Sequence, residues 1–226
     1  DRDGVQQPDE PGLVGVDVGV TWAGGDGAFG TADDVGLAAT TGADGGWGID
    51  RLPAGRFRVA MADPGADLVP TYDLDDGTTG PDGTAELVLG DGEARDDADV
   101  GYAGPHEVGD LVWFDVDDSG SLDGDEVGLD GLDVTLVWDG LDGTAGTADD
   151  VTLTTTSAAG GLYGFAGLPS GDVVVSVDEA GLPTGLAASY DLDGGNDSTT
   201  SLTLGPSNLD VDFGYRRLIW GRYWRR

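Results

Sequence analysis

The chain contains no cysteine, no lysine, one histidine and one methionine. Without cysteine there can be no disulfide, thiolate metal site or cysteine nucleophile. Without lysine there can be no Lys–Asn isopeptide cross-link and no lysine nucleophile. The one histidine, His106, stands beside Pro105 in what reads as a solvated linker, so no pair of histidines is available for acid–base work. Carboxylate pairs could be drawn almost at will from 44 acids, so such a pairing carries no weight as a glycosidase signal. The chain reads as non-enzymatic. No apolar run approaches the ~20 residues of a membrane-spanning helix, and no sustained 3.6-residue period appears.

Positive charge is almost as scarce. Ten arginines face 44 acids, 38 of them Asp, for a net charge of −34 over 226 residues. Five of those arginines (Arg216, Arg217, Arg222, Arg225 and Arg226) lie in the last eleven residues, so everything before residue 216 carries −39. Such a body repels nucleic acid and anionic membranes and attracts divalent cations. A hydrophobic fraction of 38% is too high for a disordered chain and suits two modest domains. Small extracellular domains without disulfides need another staple, and bound metal supplies one.

What is present is repetition. At an offset of 116, Gly12-Leu13 matches Gly128-Leu129 and Trp22 matches Trp138. Gly30-Thr31-Ala32-Asp33-Asp34-Val35 recurs as Gly146-Thr147-Ala148-Asp149-Asp150-Val151, and Leu52-Pro53 as Leu168-Pro169. Further on, Tyr72-Asp73-Leu74-Asp75 matches Tyr190-Asp191-Leu192-Asp193, and Gly101-Tyr102 matches Gly214-Tyr215. Short β-branched and aromatic runs, such as Val134, Leu136 and Trp138 alternating with Asp133, Thr135 and Val137, are separated by Gly-rich turns at roughly ten-residue intervals. The expectation is all-β, two tandem Ig-like or prealbumin-like antiparallel sandwiches over 1–103 and 104–215, followed by a basic aromatic tail over 216–226. Copy 2 opens with an apolar first strand, Val108-Gly109-Asp110-Leu111-Val112-Trp113-Phe114-Asp115. Its counterpart would precede Asp1, so the first sandwich is expected to lack this edge strand and part of the loop after it.

Residues 115–126 fit the twelve-residue calcium loop. Asp115, Asp117 and Ser119 fall at positions 1, 3 and 5, with Gly120 at the sharp turn. Ser121, Asp123 and Glu126 fall at 7, 9 and 12. This spacing wraps hard oxygens around one point. In copy 1, Asp1, Asp3 and Glu10 take positions 3, 5 and 12, with position 1 missing. Two further acidic loops recur as candidate oxygen cages. One holds Asp26, Asp33 and Asp34, echoed by Asp142, Asp149 and Asp150; the other holds Asp73 and Asp75, echoed by Asp191 and Asp193. Several Ca²⁺ ions per chain are expected.

These pieces together resemble the B-type domain of serine–aspartate-repeat surface proteins, within the collagen-adhesin B-like modules. The resemblance rests on Gly109-Asp110-Leu111-Val112-Trp113, the 115–126 loop running into Gly128-Leu129-Asp130-Gly131, and Tyr163-Gly164-Phe165-Ala166-Gly167-Leu168-Pro169. It continues in Tyr190-Asp191-Leu192-Asp193-Gly194 and Asp210-Val211-Asp212-Phe213-Gly214-Tyr215. It implies a calcium-binding sandwich serving as a rigid stalk or spacer at the cell surface.

The tail invites a sharper expectation. Arg217, Leu218, Ile219, Trp220, Gly221 and Arg222, with Trp224 beyond, line up in character with residues 110–115. The tail would then act as a strand donated to copy 1 of another subunit, giving a head-to-tail extracellular filament of copies of this chain. The alternatives are a stalk segment of a longer surface adhesin and a ligand-binding adhesin. No nucleic acid partner and no membrane span are expected.

Overall fold

In a computed structural model, residues 6–7, 10–75 and 80–218 are described. The fold is all-β; the single helical element among the described residues is one 3₁₀ turn, Glu179–Gly181. Two compact units emerge: Asp1–Pro105 with Asp139–Asp150, and His106–Trp138 with Val151–Arg226.

The first unit carries β1 (Asp17–Trp22), β2 (Val35–Thr40), β3 (Gly55–Met61), β4 (Val69–Tyr72), β5 (Thr84–Leu89) and β6 (Gly101–Ala103). One sheet runs β2-β1-β3-β5, all antiparallel; β4 and β6 form a separate two-stranded sheet. Period-two alternation sets the inner face. Val18 and Val20 of β1 and Phe57 and Val59 of β3 are buried, while Asp17, Arg56 and Arg58 face outward. Trp22, Leu37, Trp47, Ile49 and Leu52 pack against this cluster, each half-buried or nearly so.

The second unit holds β7 (His106–Phe114), β8 (Val127–Gly128), β9 (Asp133–Trp138), β10 (Val151–Thr156) and β11 (Leu162–Leu168). It continues with β12 (Gly171–Val177), β13 (Leu186–Tyr190), β14 (Thr199–Leu204) and β15 (Phe213–Arg217). Its first sheet, β10-β9-β12-β14, repeats the order of the first unit's four-stranded sheet. Its second sheet runs β11-β7-β15-β13, with β8 pairing the end of β7. The inner faces bring together Val134, Leu136, Val173 and Val175 from one sheet and Val112, Phe165, Phe213 and Tyr215 from the other, all buried, while Trp113 is buried on the opposite face of its sheet, beside Gly214 and Tyr190.

Three details depart from the sequence reading. The opening strand β7 is not an edge: it lies between β11, antiparallel, and β15, parallel. His106 is not a solvated linker residue but the buried first residue of β7, its Nε2 3.0 Å from Ser170 Oγ. Finally, β15 extends past Tyr215 into the expected tail: Arg216 and Arg217 pair with Ala187 and Leu186, and the Leu218 N–H donates to the Gly185 carbonyl.

Leu136 is fully buried at the centre of β9, whereas Leu209 is 53% exposed. Leu136→Ala is expected to cost about 2–5 kcal/mol through lost transfer energy and the cavity left behind. Leu209→Ala should stay within about 0.5 kcal/mol. Urea unfolding of the two variants checks the difference.

Candidate metal centre

The acidic loop 115–126 starts where β7 ends, and the sheet fixes its first ligand. The Asp115 N–H donates to the Tyr215 carbonyl at 2.9 Å, which extends the β7–β15 ladder by one residue and draws the carboxylate out of solvent. Asp115 Oδ1 accepts from Ser119 N–H at 3.0 Å, and Oδ2 from Gly120 N–H at 3.1 Å. Gly120 has a φ of 69°, the left-handed conformation that lets the chain turn back over the carboxylate. Burial alone would raise the Asp115 carboxyl. The Ser189 hydroxyl beside it and the N–H groups of Gly120, Ser119 and Asp118 outweigh that, holding its pKa below the ordinary range.

The loop closes from its far end. Glu126 accepts from Val116 N–H at 2.6 Å through Oε1 and from Asp123 N–H at 3.1 Å through Oε2. Asp117 Oδ1 accepts from Ser119 N–H at 3.1 Å. The Ser119 hydroxyl donates to the Ser121 carbonyl at 3.1 Å and lies 3.4 Å from Asp123 Oδ2. One oxygen each from Asp115, Asp117 and Glu126 lie within 4.8 Å of one another. Two oxygens that both touch a Ca²⁺ at about 2.4 Å stand at most about 4.8 Å apart, so the spacing suits this ion. Every donor is a hard oxygen.

The other expected ligands are placed differently. Asp33 Oδ2 accepts from Gly25 N–H at 2.7 Å, and Oδ1 from the Thr31 hydroxyl at 2.7 Å. Asp26 accepts from Ala28 N–H and Asp34 from Gly30 N–H. Asp142, Asp149 and Asp150 repeat this pattern with Thr144 N–H, the Thr147 hydroxyl and Gly146 N–H. Hydrogen bonds from Thr31 and Thr147, ahead of those from the backbone, hold Asp33 and Asp149 below the ordinary carboxylate pKa. These carboxylates brace exposed turns. Asp73 Oδ2 accepts from Asp82 and Gly83 N–H, and Asp75 from Glu86 N–H. Asp191 and Asp193 do the same toward Asp197 and Ser201. Asp73 and Asp191 are buried, each with Oδ1 lacking a hydrogen-bond partner among the described residues. In the first unit, Glu10 Oε2 accepts from Gln7 N–H at 3.0 Å, and Glu10 N–H donates to the Gln7 carbonyl. The same reciprocal pair joins Glu126 to Asp123. Asp1, Asp3, Ile219, Trp220, Arg222 and Trp224 lie outside the described residues.

The SdrD B-like domain profile matches residues 106–215. These residues are an SdrD B-like domain. Serine-aspartate repeat-containing protein D of Staphylococcus aureus (strain Newman) is 29% identical over 221 residues, 95% of this chain and 16% of that protein. Serine-aspartate repeat-containing protein F of Staphylococcus epidermidis is 30% identical over 95% of this chain and 12% of its own length. The chain thus spans less than a fifth of these relatives. Among solved structures, GBS52, the minor pilin of Streptococcus agalactiae, has a TM-score of 0.38 at 13% identity, covering 99% of this chain and 91% of its own. The shaft pilin SpaA of Lactobacillus rhamnosus GG has a TM-score of 0.33 at 14% identity, covering 96% and 92%. Likeness at that level transfers no assembly mode. None of these relatives is named as an enzyme. The SdrD B-like domain places the chain at the cell surface, as expected. Among the described residues no helix is long and apolar enough to cross a membrane.

Sequence reading passed over one acid of this domain. Asp212 Oδ1 accepts from Leu111 N–H in β7 at 2.9 Å. Burial pushes its pKa up to about 6 against that bond, with Asp110 and Asp210 adding repulsion. An unfolded Asp titrates near 3.9. The stability this group contributes is therefore complete below about pH 4 and is lost as pH rises through about 6. In EDTA, the stability advantage of wild type over Asp212→Asn should shrink between pH 4 and 6.5 and be flat above pH 7. Chemical unfolding across that range checks it; a pH-independent difference would refute the assignment.

Proposed function

We propose that this chain is a calcium-stiffened structural element of an extracellular surface, and that its two units are copies of one SdrD B-like module. The observation that carries the reading is the position of Asp115. A buried carboxylate ends the central strand of the second sheet and opens a loop whose other oxygens converge on it. Asp115, Asp117 and Glu126 would hold the ion through carboxylates, with the Ser121 carbonyl and the side chains of Ser119 and Asp123 nearby. Bound calcium supplies the positive charge that a lysine-free, Asp-rich domain lacks. It ties the end of β7 to the strand β8 that follows the loop, and so resists opening at the strand terminus. The recurring acidic turns at 26–34 and 142–150, and the orphan oxygens of Asp73 and Asp191, are further places where a divalent cation would relieve repulsion.

Such a module transmits tension and holds spacing. It calls for no catalytic group, and a loop between strands braces a scaffold without opening a helix pair. The function is therefore that of a rigid stalk segment.

Thermal melting in calcium and in EDTA tests the reading. A ligand held at 100 times its Kd stabilises by about 2.7 kcal/mol, so wild type should melt several degrees higher in calcium. Asp117→Ala combined with Glu126→Ala should lose most of that gain while melting like wild type in EDTA. Equal melting of wild type in both conditions would end the calcium reading.

A further inference from the structure

Both units carry the four-stranded sheet described above, and its outward face differs between them. In the first unit, cross-strand register lines up Gly36, Thr21, Arg58 and Glu86 in one row. Arg58 and the neighbouring Arg56 pair with Glu86 at 2.6 and 2.9 Å. Both guanidinium groups sit over the Phe29 ring, 4.4 Å (Arg58) and 5.2 Å (Arg56) from its centre. Arg56 Nη1 also donates to the Gly27 carbonyl at 3.1 Å. The turn holding Gly27 and Phe29 is thus drawn down onto the outward face of its own sheet.

In the second unit the same row reads Thr152, Val137, Val174 and Ser201. The row beside it reads Thr154, Thr135, Ser176 and Thr199. Alternation sends all of them outward, because the intervening Val134, Leu136, Val173 and Val175 fill the core. Thr152, Thr154 and Ser201 are exposed and the others half-buried. The groups that cover the first face have no equivalent: at the offset of 116, Val174 stands for Arg58, Asp172 for Arg56 and Ala145 for Phe29. Charge is missing too. Asp133 and Asp172 stand at the margin, and each accepts from a threonine hydroxyl, of Thr156 and Thr203 respectively. In a chain with 44 acids, these two uncharged rows are where a second negatively charged body meets least repulsion.

We propose that this Thr/Val face docks against the same face of a second copy of the chain. Composition selects that occupant. A basic partner finds its complement in the acidic loops and gains nothing from an uncharged face. A hydroxyl both donates and accepts, so an array of hydroxyls complements itself across a two-fold axis, while the paired Val137 and Val174 lose water at its centre. Four strands about 4.8 Å apart, with two or three outward residues along each, give a face on the order of 300 Å² per copy. That is well under the ~800 Å² per partner of a stable complex. The contact is therefore transient between isolated chains and strengthens where many chains are held close together. It uses neither the 115–126 loop nor an ion, so it stands apart from the calcium reading.

Sedimentation velocity across protein and salt concentration tests this. Wild type should be monomeric in dilute, low-salt buffer and shift toward dimer as either concentration rises, because salt screens the −34 charge of each copy. Val174→Asp puts a carboxylate at the centre of the face and should abolish the shift. Thr154→Glu, at an exposed position of the edge strand β10, should abolish it as well, and melting curves establish that each variant is folded. Because the chain has no cysteine, Val174→Cys is a unique handle. A short bis-maleimide should join two copies through it and should not join them through Leu209→Cys, an exposed position off the face. Pairing edge to edge through β10 or β14 would hold the two residues 174 at least three strand spacings apart, about 14 Å, and leave them unlinked. Three results would overturn the proposal: wild type monomeric at every protein and salt concentration, which hands the face to a partner of other chemistry; dimers that persist in both charged variants; or dimers that Val174→Cys cannot link. Running each sample in calcium and in EDTA separates the two readings. Dimers without a calcium melting shift would fault only the metal centre, and a calcium shift without dimers would fault only the docking face.

Discussion

Strand β7 is hydrogen-bonded along both sides and leads directly into the acidic loop. It pairs with β11 and β8 on one side and with β15 on the other. It buries Val108 and Val112 on one face and Trp113 on the other. Asp212 accepts from the N–H of Leu111, and the Tyr163 hydroxyl donates to the carbonyl of Val211 in the segment leading into β15. A central strand cannot be withdrawn without exposing two ladders of unpaired N–H and carbonyl groups. The candidate metal centre is the continuation of this strand: the same backbone hydrogen bond that ends the β7–β15 ladder seats Asp115.

The second constraint is charge. With no lysine and few arginines, the chain has little means of neutralising its carboxylates internally. The described ion pairs, Arg56 and Arg58 with Glu86, Arg95 with Asp97 and Arg216 with Asp118, are at the surface and weak in stabilising effect. Most described Asp side chains instead accept backbone N–H groups in tight turns, as Asp33, Asp73, Asp115, Asp149 and Asp191 do. That shapes the loops while leaving the charge in place. The result is a set of preshaped, electronegative turns, which is the physical basis for expecting divalent cations to act on stability.

Much of this was legible from sequence. The offset-116 repetition marks the same strands in the same order, and alternation identifies Val134, Leu136, Val173 and Val175 as core. The 115–126 register brings Asp115, Asp117 and Glu126 together. What was not legible depends on partners. Residues 46–50 have the alternation of a strand but no ladder, because a strand exists only where another backbone completes it. His106 looks like a linker residue beside Pro105, yet burial against Ser170 places it in the sheet. Nothing in the local pattern of Arg216 and Arg217 says that β13 would extend to meet them. Asp212 lacks the spacing of a ligand set; its unusual environment arises from burial in the folded sheet beside Leu111 and Asp110, a hundred residues away in sequence.

Strand pairing and metal binding are linked in the second unit because Asp115 belongs to both: ordering β7 positions the first ligand, and a bound ion would in turn hold the end of β7 in place. In the first unit Gln7 and Glu10 form the corresponding loop end with the same reciprocal hydrogen bonds, so the two units share the frame of the loop, and the coupling between ion and strand would act where Asp115 supplies the first ligand.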